Sequence, residues 1–574
     1  MGKLWRGKRA YAVFLLWVTS AIASPAQTFT RLHSFDATDG QYPMRGLVQA
    51  TNGDLYGTTY GGVHDSGETD SGTVFKITPS GTLTTLYTFC PTGDNCTDGV
   101  NPDGVLIQAT NGDLYGTTFG GGAYGLGTVF KITPSGTLTT LHSFDGTEGE
   151  NPAGGLVQAT NGDLYGTTSG GGANTTCPGG CGTVFKITPS GTLTTLYSFC
   201  SRSGCTDGSD PVAALVQATN GNFYGTTNLG VNNQGGYGGT VFEITPSGKL
   251  TTLYSFCSKT GCADGEVPNG GLVQASNGNF YGTTFYGGTY GDGTVFKITP
   301  TGTLTTLHIF DVTDGTNPGG TLIQATDGNL YGTTYQHGTD SGGGGGGTIF
   351  KITPSGALTT LYNFCSQSEC TDGTEPEVAG LVQDTNGTFY GTTLYGGANS
   401  TTCAYGCGTV YGLSVGLGPF VEIQQTSGKE GSKVGILGQG FGSSSVVKFD
   451  GTKATTIVLT GMTFITATVP AGALTGSVTV TTGTTKLTST KTFDVLPIIT
   501  SFSPESGPVG TPVTITGAGL EQTTKVTFDG KSATFTVISD TEVKADVPAG
   551  AVSGKIAVTT KGGSATSATS FTVN

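Results

Sequence analysis

The chain has 574 residues, including 100 glycines, and only 11% of its residues are charged. A chain of this length exceeds one ordinary hydrophobic core, so we expect several domains. The formal net charge of −14 argues against nucleic acid or an anionic membrane as a partner, because both require basic patches. Abundant glycine and β-branched residues with little helical periodicity predict an all-β protein rich in tight turns.

Residues 1–26 have the pattern of a secretory signal peptide. A basic segment precedes an apolar run at 10–18, and Ala21-Ile22-Ala23 is a small-x-small cleavage sequence. Cleavage after Ala23 and cleavage after Ala26 both fit this pattern. An uncleaved anchor is the alternative, although the apolar run is short for a membrane span. We therefore expect a secreted or cell-surface protein.

The stretch Leu55-Tyr56-Gly57-Thr58-Thr59 is the centre of a sequence repeat. Related stretches follow at intervals of 50 to 59 residues, with the tyrosine at Tyr56, Tyr115, Tyr165, Tyr224, Tyr281, Tyr331 and Tyr390. A period of this size, repeated this often, indicates stacked supersecondary units rather than one irregular core.

Each repeat contains four strand-like segments joined by turns and loops. In the copy at 154–199, the predicted strands cover 155–159, 163–168, 182–187 and 192–199. Asn161-Gly162 predicts a two-residue hairpin between the first and second strands, because both positions tolerate positive φ. Pro189-Ser190-Gly191 predicts a tight turn between the third and fourth strands. Each unit is therefore predicted to be an antiparallel four-stranded sheet.

Seven such units predict a seven-bladed β-propeller over 27–417. The segment 28–35 matches a fourth strand rather than a first strand, and the last unit stops after its third strand at 408–413. The N-terminal strand is therefore predicted to complete the seventh blade, which closes the ring and removes an open edge.

The two faces of the predicted ring differ. The Asn-Gly and Pro-Ser-Gly turns, such as 51–53 and 79–81, share one face, here called the turn surface. The second-to-third and fourth-to-first loops, such as 60–72 and 90–99, share the other face, here called the variable surface. All length variation and all twelve cysteines lie in the variable surface. Function is expected there, because binding residues often lie on loops held by a rigid scaffold.

The repeat region resembles the GloVer tandem-repeat family of secreted bacterial proteins. The resemblance rests on the motif Gly-Leu-Val-Gln-Ala-Thr-Asn-Gly-Asp-Leu-Tyr-Gly-Thr-Thr at 155–168 and on Gly-Thr-Val-Phe-Lys-Ile-Thr-Pro-Ser-Gly-Thr-Leu at 182–193. It covers about 28–416. The family implies a surface or secreted repeat protein of bacteria, and it supplies no established catalytic residues to transfer.

Two related segments, 418–496 and 497–574, follow the repeats. Their short alternating strands with regular turns fit immunoglobulin-like sandwiches. In the second, 503–510 and 513–519 are similar to the opening of an IPT/TIG domain. The first departs from this pattern at 425–431, which lacks the proline. Such tandem domains in that family serve as stalks, spacers or binding modules.

The twelve cysteines form six close pairs and none is left over. Paired cysteines behind a secretory signal predict local disulfides. The pairs are Cys90/Cys96, Cys177/Cys181, Cys200/Cys205, Cys257/Cys262, Cys365/Cys370 and Cys403/Cys407. The alternative is zinc bound by four thiolates, if Cys177/Cys181 and Cys200/Cys205 come together.

One carboxylate per repeat immediately precedes a glycine on the variable surface. The set is Asp39, Asp98, Glu148, Asp207, Asp264, Asp314 and Asp372. Turn formation is the first interpretation, because Asp-Gly suits such loops. Calcium binding is the second; it would need several loops, since no EF-hand spacing is present. A carboxylate pair for glycoside hydrolysis is the third.

Aromatic residues follow the second strand on the same surface. They are Tyr60, Phe119, Phe285, Tyr286, Tyr335 and Tyr395. Exposed rings could stack on sugars, whereas buried rings would pack between blades. Both interpretations stay open on the sequence.

The five histidines do not form a catalytic pattern. His33, His142 and His308 occupy a repeat position that tyrosine holds in other copies, so we expect them to pack. His64 and His337 are single loop residues without a serine or cysteine nucleophile at a recognisable elbow.

The leading functional hypothesis is non-catalytic extracellular binding or adhesion through the variable surface, to a glycan or a surface protein. One alternative is a carbohydrate-active enzyme, either a glycoside hydrolase or a lyase, with accessory domains. The other is a structural matrix component. Two carboxylates and a cationic residue in a central pocket would favour the enzyme, whereas a flat surface of aromatics and loops would favour binding. No cofactor is expected apart from the calcium alternative, and the oligomeric state stays open.

Overall fold

The protein is described here from a computed structural model. It describes residues 27–62, 71–91, 96–230, 238–338, 346–376, 380–399, 403 and 405–574. The predicted signal peptide and His64 lie outside these residues. Regular structure in the described part is entirely β, apart from three short 3₁₀ turns: Ser203–Cys205, Thr260–Cys262 and Ser368–Cys370. No helix among the described residues is long and apolar enough for a membrane crossing. The predicted all-β class is confirmed.

The repeat region contains strands β1 to β29. The first half comprises β1 (Thr28–Ser34), β2 (Val48–Gln49), β3 (Leu55–Thr59), β4 (Thr73–Ile77), β5 (Leu83–Thr88), β6 (Val100–Pro102), β7 (Ile107–Gln108), β8 (Leu114–Gly120), β9 (Thr128–Ile132), β10 (Leu138–Ser143), β11 (Val157–Gln158), β12 (Leu164–Thr168), β13 (Thr183–Ile187) and β14 (Leu193–Ser198). The second half comprises β15 (Val216–Gln217), β16 (Phe223–Thr227), β17 (Thr240–Ile244), β18 (Leu250–Ser255), β19 (Val273–Gln274), β20 (Phe280–Thr284), β21 (Thr294–Ile298), β22 (Leu304–Ile309), β23 (Ile323–Gln324), β24 (Leu330–Thr334), β25 (Thr348–Ile352), β26 (Leu358–Asn363), β27 (Val382–Gln383), β28 (Phe389–Thr393) and β29 (Thr409–Ser414).

These strands form seven antiparallel sheets, here called blades 1 to 7 in chain order. Blade 1 has the order β2-β3-β4-β5, and blades 3 to 6 repeat this order. Blade 2 differs from the predicted four strands because its second strand, β8, continues to Gly120 and pairs with the additional strand β6. In blade 7 the fourth position belongs to β1, which pairs antiparallel with β29.

The repeated Leu-Tyr-Gly-Thr-Thr segment is the second strand of each blade, and all five of its residues are buried. Its glycine has a steric reason. A Cβ on Gly166 would lie 2.6 Å from Phe185 Cζ and 2.9 Å from Leu156 Cδ2, so a side chain there would collide with the core. Seven clusters of buried apolar side chains lie between neighbouring blades, including one between blade 7 and blade 1.

A circle of hydrogen bonds joins the inner strands of the blades. In each blade the inner-strand glutamine accepts a hydrogen bond from a backbone N–H in the turn of the preceding blade. The donor–acceptor pairs, at 2.8 to 3.1 Å, are Thr51–Gln108, Thr110–Gln158, Thr160–Gln217, Thr219–Gln274, Ser276–Gln324, Thr326–Gln383 and Thr385–Gln49. The last bond returns from blade 7 to blade 1, so the seven blades form a closed ring.

The Asn-Gly turns differ from the predicted two-residue hairpin. In blade 3, Ala159 N–H donates to Asp163 O and Gly162 N–H donates to Ala159 O, both at 2.9 Å, so three residues form the loop. Only the glycine has positive φ, at 89°. The prediction of two positive-φ positions was therefore wrong. The observed geometry is a tight turn followed by a left-handed glycine, the common three-residue hairpin.

Two β-sandwiches follow the ring. The first contains β30 (Glu422–Ile423), β31 (Ser427–Gly428), β32 (Lys433–Leu437), β33 (Val446–Phe449), β34 (Thr452–Lys453), β35 (Ile457–Thr460), β36 (Phe464–Thr468), β37 (Gly476–Thr482) and β38 (Thr485–Val495). The second contains β39 (Ile498–Ser503), β40 (Ser506–Gly507), β41 (Pro512–Ala518), β42 (Thr523–Phe528), β43 (Lys531–Ser532), β44 (Phe535–Ser539), β45 (Glu542–Asp546), β46 (Gly554–Thr560) and β47 (Gly563–Val573).

Both sandwiches have the same topology, with one four-stranded and one five-stranded sheet. The short strand β31 pairs in parallel with β38, as β40 does with β47. The first sandwich therefore keeps the strand arrangement of the second, although its opening segment lacks the proline. Each sandwich has its own buried apolar core between its two sheets.

The first sandwich packs against the turn surface of the ring. Thr463 Oγ1 donates to Thr51 O at 2.8 Å, and Gln439 Nε2 donates to Thr385 Oγ1 at 3.0 Å. A cavity of about 370 Å³ lies between the inner strands of blades 1 to 4 and this sandwich. Part of the turn surface is therefore occupied within the chain itself.

Blade 7 carries a buried carboxylate at this contact. Asp384 occupies the position that alanine holds in the other six blades, and it is fully buried. Its Oδ1 accepts from Asn386 N–H at 2.7 Å and lies 3.4 Å from Gln439 Nε2, whereas its Oδ2 is buried without a hydrogen-bond partner in the described residues. Burial raises the pKa of Asp384 to about 6, because the charged form loses its hydration.

Closure by β1 gives the first prediction. Deleting 28–35 removes the strand paired with β29 and the buried Phe35, so the outer edge of blade 7 is exposed. We expect a lower melting temperature and self-association through that edge. Thermal unfolding and light scattering check this, and an unchanged melting temperature in a monomeric deletion variant contradicts it.

A pair of point variants on the same strand provides the matched control. Phe29 stacks on Tyr362 with ring centroids 3.9 Å apart and packs into the core between blades 6 and 7. Phe29→Ala should therefore lower the free energy of unfolding by about 2 kcal/mol, which is less than for a fully buried ring. Thr30→Ala, at an exposed position of β1, should change it by less than about 0.5 kcal/mol.

Asp384 gives the second prediction. A carboxyl group whose pKa is raised on folding destabilises the folded state when it is ionised, so the penalty is absent below about pH 4 and complete above about pH 6. Asp384→Asn keeps the acceptor oxygen and removes the charge. It should stabilise the protein at pH 7.5, by at most about 3 kcal/mol, and have little effect at pH 4.

Asp384→Ala restores the residue of the other blades and should show the same difference between the two pH values. Melting temperatures measured at both pH values decide the question. An equal effect of Asp384→Asn at pH 4 and pH 7.5 would contradict the assigned penalty.

Candidate functional site: the variable surface

The two kinds of loop on the variable surface are in direct contact. Gly122 N–H, in the second-to-third loop of blade 2, donates to Cys96 O in the preceding fourth-to-first loop at 2.8 Å. Gly288 N–H in blade 5 donates to Cys262 O in the same way at 3.0 Å. At these two places the adjoining loops therefore form one continuous surface rather than separate projections.

The recurring carboxylates brace the fourth-to-first loops. In four loops the carboxylate accepts a hydrogen bond from the hydroxyl of the tyrosine in the fourth strand, at 2.6 to 2.9 Å: Tyr87–Asp98, Tyr197–Asp207, Tyr254–Asp264 and Tyr362–Asp372. Backbone N–H groups of each loop donate to the same carboxylates. Asp207, Asp264 and Asp372 are fully buried.

In the other three blades a histidine replaces the tyrosine. Its Nε2 lies 2.6 to 2.7 Å from a carboxylate oxygen in the pairs His33–Asp39, His142–Glu148 and His308–Asp314. The same rings pack edge-on against the phenylalanine two residues later, with centroids 4.9 to 5.2 Å apart. These histidines therefore pack, as expected, and they also hold the carboxylate of their loop.

This pairing was not predicted from the sequence, although a signal was present. The carboxylate follows each of the three histidines by six residues, and it follows the tyrosines by ten or eleven. The longer spacing contains the cysteine pair. A repeat position that holds either Tyr or His, followed by Asp or Glu after six residues or, where a cysteine pair intervenes, after ten or eleven, indicates a hydrogen-bonded pair and not packing alone.

The electrostatics of the Tyr254–Asp264 pair favour a neutral tyrosine and an ionised aspartate. Burial and the neighbouring Asp264 raise the pKa of Tyr254 to about 12. Burial alone would raise the pKa of Asp264, but hydrogen bonds from Ser258, Tyr254 and two backbone N–H groups outweigh it and lower that pKa. At neutral pH Tyr254 thus remains a donor and Asp264 an acceptor.

All six predicted cysteine pairs are disulfides, and the two cysteines of each pair are at most six positions apart in the sequence. Three of them end the 3₁₀ turns at Cys205, Cys262 and Cys370. Links of this kind stiffen one loop each and join no two blades. The chain thus braces its fourth-to-first loops by side-chain hydrogen bonds alone or by hydrogen bonds plus a disulfide.

The six predicted aromatics differ in exposure. Tyr286 is 43% exposed, whereas Tyr60, Phe119, Phe285, Tyr335 and Tyr395 are half-buried. Phe285 contacts both Tyr286 and Tyr335, with centroids 4.8 and 6.1 Å apart, so these rings form one cluster on blades 5 and 6. A second cluster on blades 7 and 1 joins Tyr395 to Tyr42 and Tyr405.

Three more exposed tyrosines lie outside the predicted set of aromatics. Tyr124 and Tyr290 are each 65% exposed and Tyr405 is 77% exposed, and all three lie in second-to-third loops. Tyr124 and Tyr290 each stand immediately before a glycine in the short second-to-third loops of blades 2 and 5. That shared Tyr-Gly pair was the available signal, but the prediction considered only residues next to the second strand.

The ring axis at this surface carries one ion pair. Arg45 Nε donates to Asp103 Oδ1 at 2.8 Å, and both side chains are largely buried. A cavity of about 40 Å³ lies beside them, and Arg45 is the only charged residue among those described that line it. This space holds little more than a water molecule.

His337 lies in the second-to-third loop of blade 6. Its Nδ1 is 3.0 Å from Oγ1 of Thr316, which lies in the fourth-to-first loop between β22 and β23.

Comparison with known proteins identifies the two parts of the chain. The model of the Gloeobacter/Verrucomicrobia repeat matches residues 60–274 and 237–435, and the model of the IPT/TIG domain matches 497–573. No curated protein matches the chain.

Solved structures match the chain at low similarity. A fungal alcohol oxidase of the AA5 family, in complex with copper, is 13% identical, with 95% of this chain and 99% of that chain covered and a TM-score of 0.42. A putative 6-phosphogluconolactonase from Bacteroides uniformis is 17% identical, with 56% and 84% covered and a TM-score of 0.36. SGBP-B from a xyloglucan utilization locus in Bacteroides uniformis is 21% identical, with 27% and 50% covered and a TM-score of 0.15.

These TM-scores are too low to inform the function of this protein. The repeat model, in contrast, spans more than half of the chain. The protein therefore belongs to the Gloeobacter/Verrucomicrobia repeat family and carries an IPT/TIG domain over 497–573.

Proposed function

We propose that this protein is an extracellular binding protein whose variable surface recognises a glycan. The observation that carries the proposal is the distribution of exposed apolar side chains. In the described part of the repeat region, every large hydrophobic residue that is well exposed lies on the variable surface: Tyr124, Tyr286, Tyr290, Val312 and Tyr405. Exposed aromatic groups confined to one surface indicate an interaction site.

Tyrosine suits a glycan in particular. Its ring offers an apolar face to the C–H groups of a sugar, and its hydroxyl can hydrogen-bond to sugar hydroxyls. The chain's net charge of −14 makes a polyanionic ligand unfavourable. An uncharged or weakly charged glycan therefore fits the surface best.

The bracing of the loops by disulfides and hydrogen bonds supports a role in binding. A loop held by a disulfide or by a buried carboxylate loses less conformational entropy when a ligand binds. Six such disulfides are present, and they also support an oxidising, extracellular location. The turn surface is the poorer candidate, because the first sandwich already contacts it at Thr51 and Thr385.

The axial site favours binding over hydrolysis. An enzyme of the glycosidase type needs two carboxyl groups that flank a substrate. The described residues lining the axial cavity include no carboxylate, and the cavity is about 40 Å³. Each of the seven recurring carboxylates is held by its own loop through the pairs given above. The arrangement thus resembles a rigid recognition surface more than a catalytic pocket.

The third prediction tests the surface. A glycan-array screen of the purified secreted chain should identify a ligand, and calorimetry then measures its affinity. The double variant Tyr286→Ala/Tyr290→Ala removes two exposed rings of blade 5 and should weaken binding about tenfold or more, which corresponds to about 1.4 kcal/mol. The melting temperature should stay nearly constant, because neither ring is buried.

Ile538→Ala is the matched control, since Ile538 is 53% exposed but lies in the second sandwich. It should leave affinity unchanged. The proposal is wrong if no glycan on the array binds, or if the control weakens binding as much as the tyrosine variant. Crosslinking that places the ligand on 51–53 or the equivalent turns would also contradict it.

A further inference from the structure

Blade 3 brings two cysteine pairs together on the variable surface. Cys177 and Cys181 lie in its second-to-third loop, and Cys200 and Cys205 lie in the loop after its fourth strand. The four Sγ atoms are all within 4.8 Å of one another. Cys177 Sγ and Cys200 Sγ, which belong to different disulfides, are only 3.5 Å apart.

The distances between the two pairs are close to those of a tetrahedral metal site. Four thiolates around Zn²⁺, with Zn–S bonds of about 2.3 Å, place the sulfur atoms about 3.8 Å apart. The two spacings, Cys-x₃-Cys and Cys-x₄-Cys, lie in the range of zinc ligand pairs. Small movements of the side chains would therefore convert the two disulfides into a closed Cys₄ site once their bonds are reduced.

The surroundings of the sulfur atoms suit a bound thiolate cluster. Cys181 and Cys200 are buried within the apolar core between blades 3 and 4, and Cys177 and Cys205 pack against it. Cys177 N–H points to Cys181 Sγ at 3.2 Å. A backbone N–H stabilises a metal-bound thiolate because it donates to the negatively charged sulfur, and a water-poor environment limits the access of competing ligands.

No equivalent foursome exists elsewhere in the described residues. Cys403 and Cys407 occupy the same loop of blade 7, but the following loop contains Asp36 instead of cysteine, and Cys403 Sγ lies 3.3 Å from Gln41 Oε1. Cys257 and Cys262 have only the Glu266 carboxylate as a third group. The combination of two pairs is therefore special to blade 3.

We propose that blade 3 carries a redox-dependent zinc site formed by Cys177, Cys181, Cys200 and Cys205. In the oxidised protein the four sulfur atoms form two disulfides. Two equivalents of a dithiol reductant supply four electrons and four protons, break both S–S bonds and are themselves oxidised to disulfides. The four thiols then bind one Zn²⁺ and release four protons. The metal joins two loops that the disulfides leave separate.

The experiment uses the purified full chain, reduced with a phosphine that is then removed under nitrogen. Titration with Co²⁺ should give one equivalent of a tetrahedral thiolate complex, visible as charge-transfer and d–d absorption, and Zn²⁺ should displace it. Zinc should also protect these four cysteines from alkylation, as read by peptide mass spectrometry.

Matched double variants make the assignment specific. Cys177→Ser/Cys181→Ser should weaken Co²⁺ binding at least tenfold, whereas Cys403→Ser/Cys407→Ser and Cys257→Ser/Cys262→Ser should keep the full equivalent. Absence of the tetrahedral complex, or its equal loss in the blade 7 variant, overturns the proposal. If the blade 3 variant fails to fold, the alkylation pattern of the unmodified chain decides: protection of other cysteines, or of none, also overturns it.

Discussion

Closure of the ring is the constraint on which the remaining structure depends. The inner strand of most blades is only two residues long, so it contributes little pairing of its own. Further stabilisation comes from the neighbouring blade, because the glutamine side chain of each inner strand accepts a hydrogen bond from a backbone N–H in the turn of the preceding blade. The seventh bond, from Thr385 N–H to Gln49, returns the circle to blade 1. At the outer edge β1 completes blade 7, and its Phe29 and the adjoining Phe35 pack into the cores on either side of that blade.

Closure also fixes which surface is free to vary. Each turn donates a backbone N–H to the glutamine of the next blade. The first sandwich also contacts some of these turns, so both the neighbouring blade and the sandwich constrain their geometry. The opposite loops have no role in the circle of glutamine bonds. Their length changes between blades, and Tyr290 or Tyr405 can stand in them without disturbing the inter-blade cores. Architecture alone therefore divides the ring into a uniform surface and an adaptable one.

The sequence predicted the features that recur and missed those that depend on contacts between distant segments. The period, the strand order, the offset of β1 and the local cysteine pairs all follow from patterns within one repeat. The three-residue form of the Asn-Gly turn was missed because Asn-Gly also fits a two-residue turn. Asp384 and its contact with Gln439 were missed because a single deviation from alanine does not reveal its partner 55 residues away.

The carboxylates show why a repeated residue is a weak guide to a ligand site. A residue that recurs in every blade is expected to stabilise the scaffold, because the scaffold is what the blades have in common. Asp207 illustrates this: its carboxylate oxygens accept from Tyr197, Ser201 and backbone N–H groups and are fully buried. Recognition of one ligand by a sevenfold scaffold requires groups that break the repetition. In the described part of this chain the repetition is broken by the tyrosines of blades 2, 5 and 7, by the ion pair of Arg45 with Asp103, and by the four cysteines of blade 3.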